Sequence, residues 1–350
     1  MSVAPVRLGL LFDFPQPDGG DSFATAVELG LSTIPLDRPI ELVRELAAGL
    51  PAGSAHDVEQ KFAALEQSGV LAVIGPSISD NGLVVRDLAD RAGLPCINYT
   101  GGAITRSERM FHYQVGSLEE EPAVLLQHLI GRGIERVAVV YDRSPVGRHY
   151  AEWFELARVT AGVEVAATGA ISPLAATPRA ADASALIDRL AASKPDGLVY
   201  LGLGVAARTV AVALDDIGWH VPVVANSALM FGYARKDWRP LWDGWVYCDT
   251  VSDHNPQRRQ LRELSPRTAA GPVGVAGYDI GRLLAEAIAR TDHLTRAGVV
   301  EGLERVKRLP ASSGHDGTTM GFGHWDRGAL KGPYLVLRQW QDGKSVELVG

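Results

Sequence analysis

Hydroxyl groups and glycines lie where two apolar runs of the sequence end. In the first group, an apolar run ends at Gly75 and opens onto Ser79, Asp80 and Asn81, where a helical pattern begins. A serine hydroxyl and unpaired backbone N–H groups at such a helix start can hold an anionic or polar group of a ligand. The same residues also suit plain N-capping, with Ser79 as the cap and no ligand involved.

The second group follows directly along the chain. The run "LPCINY" ends at Tyr99, and Thr100, Gly101 and Gly102 come next. In open α/β sheets, ligands bind outside the carboxyl ends of the strands. Two neighbouring strand ends that both carry hydroxyls and small residues therefore favour a binding site more than either does alone.

Parallel strands are needed to position these turns, and the sequence supplies their pattern. Short apolar runs such as "VLAVIG", "RVAVVYD" and "GLVYLGL" alternate with segments of helical periodicity. This alternation predicts an α/β fold with parallel sheets and right-handed crossovers. The pattern restarts near Arg136, and residues 250–272 are polar and broken by prolines, which together indicate two sheets. The tail 332–349 alternates around "QDGK" and predicts an antiparallel hairpin at a sheet edge.

The composition is typical of a globular chain with room for two domains. It has 350 residues, 46% hydrophobic and 21% charged. The net charge is −7 and the charges are scattered, which argues against nucleic acid as a partner. No run approaches the roughly 20 apolar residues of a membrane-spanning helix, so no direct membrane insertion is expected. Cys96 and Cys248 lie in apolar runs and are expected to be reduced core thiols.

No residue pattern in the sequence is typical of catalysis or of a metal site. Walker and G-x-S-x-G loops are absent, and the histidines lack metal-ligand spacing. The partial match "GLGVAA" at 202–207 follows a strand, but the next strand ends at Asn226 rather than at an acid for a ribose. A tight turn beside the site is therefore favoured over a nucleotide. We expect a protein that is not an enzyme and has no cofactor; a dinucleotide-dependent enzyme is the least favoured alternative.

Several segments, in order along the chain, resemble type I periplasmic binding proteins of the leucine/isoleucine/valine-binding branch. They are centred on "VLAVIGP" (70–76), "IERVAVVYD" (134–142), "PDGLVYLGLG" (195–204) and "VAGYDIGRLLAEAI" (275–288). The resemblance implies two Rossmann-like lobes with parallel sheets, joined by three hinge crossovers, with a ligand clamped in the cleft between the lobes. The implied crossovers lie near 118–120, 249–252 and 326–330. Lobe one would be 1–118 plus 252–326, and lobe two 119–249 plus 330–350.

The resemblance also implies ligand contacts in lobe one. The serine that holds the ligand's carboxylate falls on Ser79, which is kept. A contact made through the backbone falls on Thr100, with Gly101 in the same turn. The threonine that binds the α-ammonium and carboxylate groups falls on Gly102, so that hydroxyl is lost.

The contacts implied for lobe two are more altered. An aromatic residue of the family falls on Val146, and a tyrosine falls near Gly204. The acid that pairs with the ammonium falls near Asn226 or Ser227. An unpaired buried ammonium would cost several kcal/mol, so a free α-amino acid is a poor candidate. An apolar or aromatic acid, an amide or a steroid-like compound, with its polar end at Ser79, is expected instead.

Two roles on this fold remain open from the sequence. The first is the solute-binding component of an ABC importer, with a permease as partner. The second is a cytoplasmic ligand sensor, similar to the amide-binding regulator of amidase expression. The start "MSVAPVRLGLLF" has no basic segment before its apolar run. The expected location is therefore cytoplasmic if Met1 is the native start, and extracytoplasmic if a leader has been removed.

Overall fold

The computed structural model describes residues 4–14, 18, 20–174 and 180–348. The chain divides into two compact units, and it passes between them three times. Unit one comprises Met1–Val115 and Thr250–Tyr334; unit two comprises Gly116–Asp249 and Leu335–Gly350.

The third passage lies after Tyr334, beyond the 326–330 expected from the sequence. Residues 330–334 therefore belong with unit one and not with the second lobe. The reason is local pairing: Leu330 and Lys331 form a short antiparallel strand against Thr319 and Met320. The backbone N–H of Leu330 also donates to the Gln114 side chain at 2.9 Å.

The first part of unit one alternates strands and helices. Its elements are β1 (Val6–Phe12), α1 (Asp21–Leu31), β2 (Ile40–Leu46), α2 (Ala55–Gln67), β3 (Ala72–Ile74), α3 (Ser79–Ala92), β4 (Cys96–Asn98) and β5 (Met110–His112). The five strands are all parallel, in the order β2-β1-β3-β4-β5. The parallel sheet expected from the apolar runs is thus confirmed, and the carboxyl ends of β1, β3 and β4 lie along one edge.

The first part of unit two has the same alternation. Its elements are α4 (Glu121–Gly131), β6 (Arg136–Asp142), α5 (Pro145–Ala161), β7 (Glu164–Ile171), α6 (Ala180–Ala191), β8 (Gly197–Leu201), α7 (Gly204–Asp216), β9 (Val223–Ala225), α8 (Phe231–Ala234) and β10 (Val246–Asp249). A 3-10 turn, Ser227–Met230, follows β9 directly. Strands β6 to β10 are parallel where they pair, in the order β10-β9-β8-β6-β7.

The chain then returns to unit one and ends in unit two. The return contributes α9 (Pro256–Leu264), α10 (Pro272–Arg290), α11 (Arg296–Arg305), β11 (Leu309–Pro310), β12 (Thr319–Met320) and β13 (Leu330–Lys331). The final strands β14 (Val336–Gln341) and β15 (Lys344–Glu347) form an antiparallel hairpin on β10. The predicted tail hairpin at a sheet edge is therefore confirmed.

The core of each unit consists of side chains packed between its sheet and its helices. In unit one, Phe62 and Leu65 of α2 and Val85 of α3 pack with Val73 and Cys96 of the sheet. Unit two has a separate cluster on each side of its sheet. Both cysteines are buried free thiols, one in each unit, as the sequence predicted.

Candidate functional site

A buried carboxylate organises the turn between β3 and α3 in unit one. Asp13 follows β1, and its oxygens accept hydrogen bonds from the backbone N–H of Ser77 (2.8 Å), the Ser77 hydroxyl (2.6 Å), the backbone N–H of Ile78 (3.0 Å) and the Asn81 amide (2.8 Å). Burial raises the pKa of Asp13, and these hydrogen bonds act in the opposite direction. The first strand of the sheet thus fixes the turn that follows the third.

The opening of this turn requires a glycine. Gly75 has a φ of +115°, and a Cβ there would lie 2.2 Å from the carbonyl oxygen of Leu11. Only glycine fits such a close backbone approach in this conformation. The apolar strand therefore ends at Gly75 because the backbone must pass next to β1.

Ser79 does not cap its helix, contrary to the expectation from the sequence. The N-cap of α3 is Ile78, without a side-chain cap, and Ser79 is the first helical residue. The Asp13 carboxylate takes the place of a cap by accepting from Ile78 N–H. The Ser79 side chain is almost buried, and its hydroxyl has no hydrogen-bond partner among the residues that the structure describes. That hydroxyl is consequently available to another molecule.

Thr100 is held by its own unit. Its hydroxyl donates to the Asn98 side chain at 2.9 Å, and its carbonyl oxygen accepts from Nε2 of His112 at 2.8 Å. Burial and then the nearby Arg106 guanidinium lower the pKa of His112 to about 3, so the ring is neutral at physiological pH. With its hydroxyl proton engaged, Thr100 can offer a ligand its backbone N–H rather than that proton.

The glycines of the same turn lie next to Ser79. A Cβ on Gly102 would be 3.0 Å from the Ser79 hydroxyl oxygen, and Gly101 precedes it in the turn. The two neighbouring strand ends predicted to act together are therefore adjacent in unit one. A threonine at position 102 would crowd the Ser79 hydroxyl.

Unit two repeats the carboxylate arrangement at an equivalent place. Asp142 is the last residue of β6. It is buried, and it accepts from the backbone N–H and hydroxyl of Ser144 and from the backbone N–H of Leu203. Burial raises its pKa, and the same hydrogen bonds oppose the rise. Asp142 therefore joins the first strand of its sheet to the turn after β8, as Asp13 does for the turn after β3.

The "GLGVAA" turn is occupied by its own protein partners. The N–H of Gly202 donates to Asn226 at 3.1 Å, the Asn226 amide donates back to the Gly202 carbonyl at 2.9 Å, and the N–H of Leu203 points at Asp142. A pyrophosphate binds to backbone N–H groups that have no other partner, and a neighbouring carboxylate repels its negative charge. This geometry disfavours the dinucleotide alternative. The Asn226 side chain instead connects the ends of β8 and β9 by hydrogen bonds.

Two further predicted positions in unit two are tightly packed. The Val146 side chain lies in the core cluster with Tyr150 and Phe154. A Cβ on Gly204 would be 2.6 Å from the Ala228 carbonyl oxygen, so a tyrosine cannot replace it without moving the backbone. Neither residue forms an aromatic surface.

A buried acid next to Ser227 is the residue that sequence reasoning missed. The backbone N–H of Ser227 donates to Oε2 of Glu121 at 2.7 Å, and the Tyr150 hydroxyl donates to Oε1 at 2.9 Å. Glu121 belongs to a run of three glutamates at a helix start, a pattern that normally indicates a solvated first turn. Tyr150 lies one helical turn beyond Val146, so helical spacing alone could have indicated Tyr150 as a candidate site residue.

The described ranges contain neither a cluster of metal ligands nor a membrane-spanning helix. Within them, no three histidine, cysteine, aspartate or glutamate side chains are grouped to bind a metal ion. Among the same residues, no helix is both long and apolar enough to span a membrane.

Two α/β units, each with turns at the carboxyl ends of parallel strands, are typical of the type I periplasmic binding fold. Residues 5–344 match the family model described as periplasmic binding protein, and the chain belongs to that family. The resemblance to periplasmic binding proteins and the type I fold are thereby confirmed. No match was found among curated protein sequences.

Solved structures of the same fold cover almost all of the chain. An ABC transporter substrate-binding protein from Desulfitobacterium hafniense, in complex with Leu, is 20% identical with a TM-score of 0.80, over 99% of this chain and 100% of that one. A leucine binding protein from Thermotoga maritima is 14% identical with a TM-score of 0.83, over 98% of each chain. A branched-chain amino acid substrate binding protein from Streptococcus pneumoniae, in complex with isoleucine, is 15% identical with a TM-score of 0.81, over 99% and 100%.

Proposed function

We propose that this protein is the solute-binding component of an ABC importer of the branched-chain-amino-acid type. It binds one small organic ligand at strand-end turns, and hinge motion about the three crossovers accompanies binding. The observation that carries the proposal is the Ser79 hydroxyl, which is nearly buried, caps no helix and has no partner in the described part of unit one. The family supports a solute-binding protein rather than an enzyme.

The polar end of the ligand binds to unit one at Ser79 and at the backbone of Thr100, Gly101 and Gly102. A carboxylate, amide or carbonyl oxygen can accept from the Ser79 hydroxyl and from an N–H of this turn. Because Gly102 carries no hydroxyl, a second side-chain contact to a zwitterion is missing. This supports an apolar or aromatic acid, an amide or a steroid-like compound rather than a free amino acid.

The importer role requires a permease as partner and a location outside the cytoplasm. Both proposals are supported by the family and by the substrate-binding proteins of similar fold. The net charge of −7 is compatible with a freely diffusing receptor and offers no attraction to anionic membranes.

A thermal-shift screen followed by calorimetry tests the proposal. The screen contains leucine, isoleucine, valine, aromatic acids, their amides and steroid acids. A compound at 100 times its Kd adds about 2.7 kcal/mol to the free energy of unfolding and raises the melting temperature. We expect hits among the acids and amides, and Kd values above about 1 mM for the three amino acids. Micromolar binding of leucine would contradict the proposed ligand class, and no binding of any compound would count against the function.

A further inference from the structure

The Glu121 side chain is the centre of a hydrogen-bonded cluster in unit two. Its Oε1 accepts from the N–H of Ser117 at 2.6 Å and from the Tyr150 hydroxyl at 2.9 Å, while Oε2 accepts from the N–H of Ser227 at 2.7 Å. The Tyr150 and Ser227 hydroxyl oxygens are 3.2 Å apart, and either can be the donor. Gly116 lets these groups approach, since a Cβ there would lie 2.4 Å from Oε1 and 2.5 Å from the Ser227 hydroxyl.

No cation takes part in this cluster among the described residues. Two titratable groups from other elements lie next to Glu121, namely Tyr150 on α5 and Cys248 on β10. The Cys248 thiol lies 4.0 Å from the Glu121 carbonyl oxygen, and the Asp249 carboxylate also raises the pKa of that thiol. The adjacent Glu119 and Glu120 precede Glu121 in the chain.

The turn after β9 faces the cluster with Ser227 and with the uncharged side-chain amide of Asn226. Glu121 is fully buried, and burial raises its pKa to about 7 against the hydrogen bonds from Ser117, Ser227 and Tyr150. Both protonation states of Glu121 are therefore populated near neutral pH.

We propose that the protonation state of Glu121 sets the direction of the hydroxyl chain Glu121–Tyr150–Ser227, and so decides whether Ser227 accepts or donates a hydrogen bond toward a ligand. The proposal rests on the proposed function in one respect, namely that Ser227 contacts the ligand. It makes Glu121 and Tyr150 positioning residues that determine ligand specificity.

The two directions follow from counting protons. When Glu121 is ionised, Tyr150 donates its single hydroxyl proton to Oε1. A hydrogen bond between the Tyr150 and Ser227 hydroxyls must then be donated by Ser227. The Ser227 oxygen then presents lone pairs, which suit a ligand N–H such as that of an amide.

When Glu121 takes up a proton from solvent on Oε1, that O–H donates to the Tyr150 oxygen. Tyr150 then donates to Ser227, and the Ser227 proton is free to point at a ligand oxygen. Oε2 still accepts from the Ser227 N–H in both states, so the turn itself does not need to move. A neutral-to-acid change of pH should consequently shift preference from ligand donors to ligand acceptors.

The proton chain can be tested without a ligand. Carbon-13 NMR of protein labelled at glutamate carboxyls, with the Glu121 signal assigned by its loss in Glu121→Gln, should show titration near pH 7. Tyr150→Phe removes a donor to the ionised form and should raise the midpoint by about one pH unit. Tyr233→Phe is the matched control, because Tyr233 also links a buried carboxylate, Asp249, to a serine. A midpoint near 4.5, or a midpoint that Tyr150→Phe leaves unchanged, overturns the proposal.

The ligand preference is tested with phenylacetamide and phenylacetate, a pair of similar shape that differs in the N–H donor. When the pH is raised from 5.5 to 8.5, the affinity for phenylacetamide relative to phenylacetate should increase by about tenfold. Glu121→Gln should abolish this dependence on pH. A ratio that is constant in the parent protein overturns the role of Ser227. If neither compound binds at any pH, the proposed ligand class is wrong. The NMR titration then tests the hydroxyl chain Glu121–Tyr150–Ser227 by itself.

Discussion

Two serines in the turn after β3 use their hydroxyls in different ways. Ser77 donates to Asp13 at 2.6 Å, whereas the Ser79 hydroxyl has no partner in the portion of the chain described. Ser79→Ala should therefore leave the free energy of unfolding within about 0.5 kcal/mol of the parent. The same change should weaken binding of a compound found in the screen by roughly ten- to a hundredfold, because a hydrogen bond to its polar end is lost. Urea unfolding and calorimetry measure the two effects.

Ser77→Ala is the matched control for that experiment. It removes a hydroxyl that donates to a buried carboxylate, so it should lower the free energy of unfolding by about 1–3 kcal/mol. If Ser79→Ala destabilises as much as Ser77→Ala and binding is unchanged, Ser79 is a structural residue only.

Glu121 should make stability depend on pH. Its pKa is raised from an ordinary value of 4.5 to about 7 in the folded state, so the folded protein binds this proton more tightly than the unfolded chain. The free energy of unfolding contributed by this group is therefore highest below pH 4.5 and falls as the pH rises to about 7, by roughly 3 kcal/mol in total. Glu121→Gln should remove that slope.

The measurement compares urea unfolding of the parent and variant at several pH values between 4.5 and 8. Glu120→Gln is the control, because Glu120 is exposed and adjacent. A pH slope that is the same in the parent and in Glu121→Gln would show that Glu121 titrates with its ordinary pKa.

At the scale of elements, the two units use the same device to fix a strand-to-helix turn. Asp13 after β1 holds the start of α3, and Asp142 at the end of β6 holds the start of α7. Asp13→Asn replaces an acceptor by an amide N–H that faces backbone donors. The free energy of unfolding should fall by about 1.5–3 kcal/mol, and the amides of Ser77 and Ile78 should exchange hydrogen faster.

Asp142→Asn provides the comparison for this prediction. Its local effect should be similar in size, but the faster exchange should appear at Ser144 and Leu203 of unit two. Exchange that increases equally in both units after either substitution would indicate global unfolding instead of loss of one turn.

The central strands of both sheets were predictable from sequence, and the edge strands β2 and β7 were not. A strand buried on both faces, such as β8, is an uninterrupted apolar run. Strands β2 and β7 lie at sheet edges, where exposed residues such as Glu41, Arg44 and Thr168 interrupt the run. Burial on both sides produces the signal that sequence reasoning uses, and an edge strand lacks it.

At the scale of the whole molecule, the proposed function predicts closure on binding. The chain passes three times between two compact units, and hinge motion about such connections is a common response to a ligand. X-ray scattering should show a smaller radius of gyration when the protein is saturated with a compound from the screen. A non-binding compound of similar size serves as control. An unchanged radius at saturation would contradict a receptor that closes.

The sequence by itself determined the family, the parallel sheets and the positions of the turns. Buried runs and glycines record local geometry directly, which is why Gly75 marked a real strand end. The chemical role of each side chain depended on contacts between residues far apart in the chain. The Thr100 hydroxyl donates to the Asn98 side chain, and the Asp13 carboxylate, rather than Ser79, accepts from an N–H at the start of α3.

Only the tertiary structure identified Glu121 as part of the candidate site. Ser227 lies 106 positions further along the chain, and no spacing rule connects the two. In the sequence, Glu121 is one of three consecutive glutamates at a helix start, which suits a solvated position. Folding buries its carboxylate against Ser227 and Tyr150, and this desolvation, which sequence position does not encode, gives the acid its distinct chemistry.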